Sequence, residues 1–592
     1  MMASVLRERL RNKDMKKILL TMMVAMLLMT WCVAGAAPAK PGMMQHVQSD
    51  GSTVTLMMRG GELHRSLVTT DGLTVARAAS GDYCYVASGV MSDVMAHDVG
   101  LRGVEETAFV AAYREQMTRD DGARRAPRRE GENDNPQVPT MGSPRIPVIL
   151  VNYTDLSFKS DDPVVTFQNQ FNEQEKSSLH YFQSQSRGMF SPQFDILGPV
   201  NLPQTREYYG GNIRIYGTEV DQQLGTMIYD ACTGLGSGVN FSDYDNDGDG
   251  IVDVVVVLYA GVGEAQAWRT VPESVWPSQW DMQESLDWGC STIGPFQLDG
   301  VTINKYAVFN ELEGPYDTTD QIDGIGTFCH EFGHCLGLPD FYPTNGGNYY
   351  GMSSWDIMDN GCYADDGHTP VGYTSYERHF MGWMDLIEPR ENTRYALKPL
   401  NTDAGTAVKV TNDANPDEYY LIEYRTKTGW DAYLAAEGLM ILHVDYDKTI
   451  WDNNTPNNVG NHQRMTLIPA DGVLSNSSNK YDLWPQGDKN ALTDESTPAA
   501  TVYHGGLMHK PITGMSISDD KSTASLGYMM RESTPGDANQ DGDVTIADVN
   551  TVIDAILSGS EDADTLKYCD INQDGEVSIA DVVMIIEIIL AL

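Results

Sequence analysis

The spacing of apolar residues changes along the chain, and the changes divide it. From about residue 40 to 120 short alternating runs such as Ser52–Leu56 and Leu73–Ala76 sit between turn residues, which predicts a β-rich unit. Pro147–Val151 is a nearly unbroken apolar run, the pattern of a buried strand, and Val165–Ser186 follows with helical periodicity. A second helix is predicted over Val220–Cys232, strands over Ile251–Tyr259 and Val301–Phe309, and a helix around residue 330. This alternation predicts one α/β domain over residues 140–385. Between 386 and 532 the helical signal fades, and Glu418–Tyr424 and Gly438–Val444 read as strands of a β-sandwich. The last stretch, 533–592, repeats a polar loop followed by an apolar helix, which predicts a small all-α module.

The two ends of the N-terminal unit carry processing signals. Met15-Lys16-Lys17 precedes the apolar run Ile18–Val33, and Ala34-Gly35-Ala36 closes it, the layout of a cleaved signal peptide over residues 1–36. The run is shorter than the roughly 20 residues of a membrane-spanning helix. Arg124-Arg125-Ala126-Pro127-Arg128-Arg129 opens a polar, proline-containing stretch, an exposed linker open to proteolysis. It marks residues 37–139 as a propeptide, with a plain interdomain linker as the other reading. Export makes some cysteine pairing expected, and seven of the eight cysteines remain after Cys32 is removed, so at least one stays unpaired. The formal charge of -43 argues against nucleic acid or anionic membrane as a partner. Several of the acidic residues sit in spaced aspartate loops, so calcium explains part of that charge.

The chemistry centres on His330-Glu331-Phe332-Gly333-His334. Two histidines four apart on a helix share one face and can grip one metal ion, with Glu331 placed beside them to take a proton rather than to ligate. Gly337 lets the chain leave the helix, and Asp340 follows at third-ligand spacing; Asp356, Asp359 and Glu377 stand as substitutes if the loop folds back. Met358, in the turn Ser354–Asp359, reads as an apolar floor under the ligands, or more plainly as a packed methionine. The loop Asp243–Asp253 alternates carboxylates around glycines, and Asp245, Asp247, Asp249 and Asp253 are its candidate calcium ligands. In the register starting at Asp245, Val256 occupies the twelfth place, so this is not a standard EF-hand loop.

The segment Thr327–Asp340 resembles the active-site helix of the immune inhibitor A family of bacterial zinc metallopeptidases. Ile146–Val151, Trp355–Met358, Gly382-Trp383, Glu423–Arg425 and Gly438–Ile441 carry the likeness onward over roughly residues 40–450. The resemblance implies a propeptide, a zincin-like (metzincin-like) catalytic domain and a following β-domain. It also implies His330 and His334 as zinc ligands and Glu331 as base. Latency stays open, with Cys84 or an acidic propeptide residue as candidate caps. The loops Asp537–Asp548 and Asp570–Asp581, each followed by a helix, are similar to the calcium loops of a type I dockerin, the module that docks onto cohesins. That likeness implies side-chain ligands Asp537, Asn539, Asp541 and Asp548, then Asp570, Asn572, Asp574 and Asp581, with Asp543 and Glu576 offering carbonyls. Ile546-Ala547 and Ile579-Ala580 stand where many dockerins carry a polar pair. The expected protein is a secreted zinc endopeptidase acting on proteins and attached through its dockerin to a cohesin-bearing scaffold. An inactive or glycoprotein-directed adhesion component is the alternative.

Overall fold

The computed structural model describes residues 35–591 apart from 41, 60, 62–65, 79, 88–89, 121–136, 216–217, 268–269, 531–534, 540–542 and 560–567. Most of the signal segment, the basic linker and Asp541 therefore lie outside the described residues. Met44 to Met95 form a six-stranded antiparallel meander over a core that includes Val54, Leu56 and Tyr85. The same region holds a helix, α1 (Val104–Asp120), where only strands and turns are expected from the sequence. Glu105 and Glu106 sit in its first turn, where carboxylates are favoured by the helix dipole.

A second six-stranded sheet carries the chemistry. Its strands are β1 (Gly35–Ala36), β2 (Arg145–Asn152), β3 (Gln193–Asn201), β4 (Val255–Val262), β5 (Ser278–Asp281) and β6 (Lys305–Leu312), in the order β1-β5-β6-β4-β2-β3. β6, β4, β2 and β3 are mutually parallel; at one edge β5 runs antiparallel to β6, and β1 antiparallel to β5. All residues of β4 are buried, as expected of a strand covered on both faces. One face packs on α3 (Leu224–Gly234) through Met227, Ile228 and Ala231, and the other on an aromatic core of Phe171, Phe182, Phe194, Phe309, Phe328 and Phe332. Each buried aromatic of this kind is worth ~1.5–3 kcal/mol in transfer free energy.

The helical run expected over 165–186 is broken. A short helix and a π turn end at Glu173, Gln174 is extended, and α2 (Ser178–Gln185) restarts with the Ser177 hydroxyl accepting from His180 N. The predicted strand 301–309 is two strands meeting at Asn304, and the helix expected from Val220 begins at Leu224, because Val220 and Asp221 pair in a hairpin. α4 (Gly326–Cys335) carries the histidine pair and lies against β5, β6 and β1. Cys84, Cys232, Cys329, Cys335 and Cys362 are buried free thiols, so the pairing expected of an exported chain does not occur at these five. Burial in apolar surroundings pushes Cys232 and Cys329 well up, which keeps them unreactive.

After residue 386 the chain forms a four-stranded and a three-stranded antiparallel sheet that share a core of Val408, Ile422, Ile441, Ile512 and Leu526. The opposite face of the four-stranded sheet, with Leu421, Leu442 and Met465, joins the core under α4. At the end, α5 (Ile546–Ser558) and α6 (Ile579–Ala591) pack on each other through Val549, Val552, Val582 and Ile585. No helix among the described residues is long and apolar enough to cross a membrane.

Candidate metal centre

α4 ends on a left-handed residue. Gly337 has φ +95°, its N–H bonds His334 O at 2.9 Å, and Leu338 N–H bonds Gly333 O at 3.1 Å. This Schellman closure swings Leu338–Asp340 back towards the helix, as the glycine in the motif leads one to expect. Met358 lies fully buried against α4: a Cβ placed on Gly333, between the two histidines, would come within 2.7 Å of its sulfur. The methionine therefore packs against the helix at the residue between the two histidines, and a side chain at residue 333 would push against it.

The histidines are held by their outer nitrogens. His330 Nδ1 meets Ile357 O at 2.7 Å and His334 Nδ1 meets Leu338 O at 2.8 Å. A backbone carbonyl can only accept, so each Nδ1 carries the proton and each neutral ring presents the lone pair of Nε2. Those lone pairs converge on Asp340 Oδ1, 3.1 Å from His330 Nε2 and 3.3 Å from His334 Nε2. None of the three atoms makes a hydrogen bond, although all are buried. Three acceptors facing one another without a donor repel unless a cation lies between them, and buried polar atoms are rarely left so. Burial would lower His334, but the Asp340 carboxylate overrides it and raises the ring to about 9, so without an ion a proton on this ring supplies the positive charge that the acceptors call for. Asp340 itself is held below the usual carboxylate range by the two imidazoles, against the opposing effect of burial.

Asp340 is aimed by a residue from a distant segment. Asn454 donates through Nδ2 to Asp340 Oδ2 at 2.6 Å and accepts Asp340 N at 2.6 Å, which leaves Oδ1 for the histidines. Its neighbours brace the same loop, with Asn457 Nδ2 on Phe341 O at 2.7 Å and Asn458 Nδ2 on Thr344 Oγ1 at 2.9 Å. Sequence reasoning missed this role; the asparagine-rich run Asn453–Asn458 was the available signal. Asn454 also adopts φ +52°, a left-handed conformation that asparagine tolerates.

Glu331 is fully buried on α4 and lies close enough to His334 to raise its pKa. The substitute ligands Asp356, Asp359 and Glu377 do not fall in the group that His330, His334 and Asp340 form. Asp359 accepts from Met352 N, Ser353 N and Asn360 N. Asp356 Oδ1 accepts Met358 N at 2.7 Å, and Glu377 Oε2 caps its own helix through Thr374 N. Burial pushes both Asp356 and Glu377 up, and the Asp356 carboxylate raises Glu377 further.

Two further groups of potential ligands occur among the described residues. Asp245, Asp247 and Asp253 bring one oxygen each to within 4.8 Å of one another. Asp249 is not in that group, and its carboxylate accepts Ile251 N. Burial raises Asp253 to about 6. The second group, Glu418, Asp445 and His504, was not foreseen. In the C-terminal loops Asp548 accepts Asn539 N and Thr545 N, closing a capping box on α5, and Asp581 accepts Ile571 N and Ser578 N. Asp570 and Asp574 accept backbone N–H groups of their own loop, and with Asp581 they do not form a group as tight as the other three. Ile546 and Ile579 stand at the starts of α5 and α6 and are 68% and 72% exposed.

An α/β domain that gathers a buried His-His-Asp set on a helix, with a glutamate beside it, has the build of a metallopeptidase. The comparisons with known proteins give that class a family. Residues 150–384 match the family model described as immune inhibitor A peptidase M6, catalytic domain, and residues 535–590 match the type I dockerin domain. The chain is therefore similar to peptidase M6 catalytic domains over 150–384 and to type I dockerins over 535–590. It is 28% identical over 227 residues to the pre-pro-metalloprotease PrtV of Vibrio cholerae serotype O1, a match covering 35% of this chain and 23% of that protein. It is 23% identical over 294 residues to immune inhibitor A of Bacillus thuringiensis subsp. alesti, covering 41% of each. The chain thus spans less than half the length of the curated relatives it matches.

Proposed function

We propose that the protein is a secreted zinc-dependent endopeptidase, with His330, His334 and Asp340 holding the ion and Glu331 acting as general base. The observation that carries this is the meeting of two imidazole lone pairs and one carboxylate oxygen with no donor among them. Two nitrogens and one oxygen suit zinc, and three protein ligands leave the open position of a catalytic site. Zinc, when bound, lowers the pKa of a water and polarises a carbonyl. The chain's own residues do the rest. Ile357 O and Leu338 O fix the imidazole tautomers, Asn454 orients Asp340, and Met358 closes the site from below. Glu331 takes the proton of the attacking water and passes it to the departing amine.

Around this site we read a zincin-like catalytic domain over 140–385. A signal peptide (1–36), a propeptide (37–139), a β-sandwich (386–532) and the dockerin module (533–592) complete the chain. Calcium at Asp245, Asp247 and Asp253 would brace the loop before β4, and calcium in the two C-terminal loops would fold the dockerin, whose exposed Ile546 and Ile579 would meet a cohesin-bearing scaffold. The relatives' names, a pre-pro-metalloprotease among them, support export and proteolytic maturation. The test is casein hydrolysis by the purified protein with and without chelator. The account expects hydrolysis that chelation stops and zinc restores; hydrolysis indifferent to chelation contradicts it.

A further inference from the structure

Arg425 ends the strand Asn415–Arg425, beyond the domain that holds the metal centre, and is fully buried. Its guanidinium lies between two carboxylates. Nε and Nη2 donate to Asp431 Oδ2 and Oδ1 at 2.9 and 2.6 Å, and Nη1 donates to Glu423 Oε1 at 3.1 Å. This ionic trio reaches across to the stretch 372–375. Asp431 Oδ1 accepts Gly372 N at 3.0 Å, Glu423 Oε2 accepts Ser375 N at 2.6 Å, and Arg425 Nη2 donates to Gly372 O at 3.1 Å. The main chain is thereby gripped on both sides of Tyr373.

Tyr373 is fully buried, with the rings of Tyr181 and Trp383 at 5.5 and 5.8 Å. Its hydroxyl donates at 3.2 Å to Cys329 O, the carbonyl just before His330. A Cβ on Gly333 would lie 3.1 Å from that hydroxyl and 2.7 Å from Met358 Sδ. So the phenol and the methionine both press on α4 at the residue between its histidines. A second route runs through the turn that carries the methionine: Asp356 Oδ1 accepts Met358 N, and Ile357 O accepts His330 Nδ1. Burial raises Asp356, and both that bond and the Arg425 charge pull its carboxyl back down.

A wholly buried ionic trio is a poor source of stability, because desolvation cancels most of the attraction, and uncharged residues of similar size often serve as well. What it supplies is direction, since a planar guanidinium donates to carboxylates only along its fixed N–H bonds. We propose that Arg425, with Glu423 and Asp431, is a positioning residue for the metal centre: the trio fixes Tyr373 and the turn at Met358, and through them the places of His330 and His334. The inference rests on the zinc reading. It extends the support of the site beyond the catalytic domain by a path separate from Asn454.

The test uses full-length variants. Glu423→Gln, Arg425→Met and Asp431→Asn combined remove the three charges with little change of volume, so Tm should stay close to that of the wild type. Zinc affinity, read by competition with a fluorescent chelator, should nevertheless fall about 2–30-fold, the range for residues that act through others. The visible absorption of the cobalt-loaded chain, which reports ligand geometry, should shift, and kcat on casein should fall with KM unchanged. Arg425→Met alone leaves two buried carboxylates unpaired and should lower Tm sharply. Recovery of Tm in the combined variant without recovery of zinc affinity separates positioning from plain stability. Tyr373→Phe keeps the ring and loses only the bond to Cys329 O; it should change zinc affinity and cobalt absorption in the same direction, by less. A folded combined variant with wild-type zinc affinity and cobalt absorption overturns the proposal and leaves the peptidase reading standing. Should that variant not fold, wild-type values in Tyr373→Phe overturn it instead. A wild-type chain that binds no zinc removes the zinc reading and the proposal together.

Discussion

Two buried clusters of histidine and carboxylate lie in this molecule, and they are built on opposite principles. Around Asp340, two imidazoles spend their only proton on backbone carbonyls and point bare lone pairs at a carboxylate oxygen. Around Glu418, every oxygen is met by a donor. His443 Nε2 and Tyr503 N reach Oε1 at 2.8 and 2.6 Å, while Asn412 Nδ2 and His504 N reach Oε2, both at 2.9 Å. Asp445 beside it receives His462 Nε2 at 2.6 Å and Arg464 Nη1 at 2.8 Å. Residue types and the closeness of their ligand atoms, within 4.8 Å of one another, put both clusters among potential metal sites. Donor accounting separates them: with its rings neutral the first has only acceptors facing one another, and the second already has donors in its own side chains and backbone.

The comparison breaks most sharply at Glu331. Glu331→Ala should cut peptide hydrolysis by about 10²–10⁴-fold, the usual worth of a positioned base, with zinc content unchanged by metal analysis. Activity that survives would mean the proton travels elsewhere. Asn454→Ala should weaken zinc binding by about 10–100-fold, the common effect of losing a residue that orients a ligand. Competition with a fluorescent chelator measures it, and an unchanged affinity would show that Asp340 needs no brace.

In the second cluster the expected losses are of stability. Glu418→Gln leaves His443 or a backbone amide without its acceptor and should cost about 1–3 kcal/mol, read as a lower Tm, with zinc content intact. Burial alone would raise Glu418, yet bonds from His443 and the two amides hold it near 2 against an ordinary 4.5. Because the folded pKa is the lower one, the stabilisation is complete above pH ~4.5 and disappears as pH falls towards 2. Thermal unfolding of the wild type should therefore decline over that window more steeply than that of Glu418→Gln; parallel curves would count against the assignment. The smallest effect is expected at the aspartate loop, where calcium at 100 times its Kd should stabilise by about 2.7 kcal/mol if the site is whole. Asp253→Ala should remove that increment, and a gain that survives would place the ion elsewhere.

Much of the site was legible in the sequence because it is local. The histidine spacing, Gly337 and Asp340 all act within one helix and the turn that follows it. What escaped was long-range or hidden in a cap. Asn454 reaches Asp340 from a segment beyond the catalytic domain, so no periodicity could announce it. The break at Gln174 inside an apparently continuous helical run depends on Ser177 capping a fresh start. Residues 35–36 read as the tail of an export signal, and nothing in their composition told of a strand on a distant sheet edge. The Glu418 cluster is assembled from strands and a loop far apart in the chain, and only the folded geometry brings its histidines to its acids.

The most direct test is metal analysis of four purified chains: wild type, His330→Ala, Glu418→Ala and Asp445→Ala. The account predicts one equivalent of zinc in all except His330→Ala, which should hold none. Zinc retained by His330→Ala, or lost from a folded Glu418→Ala or Asp445→Ala chain, would contradict it.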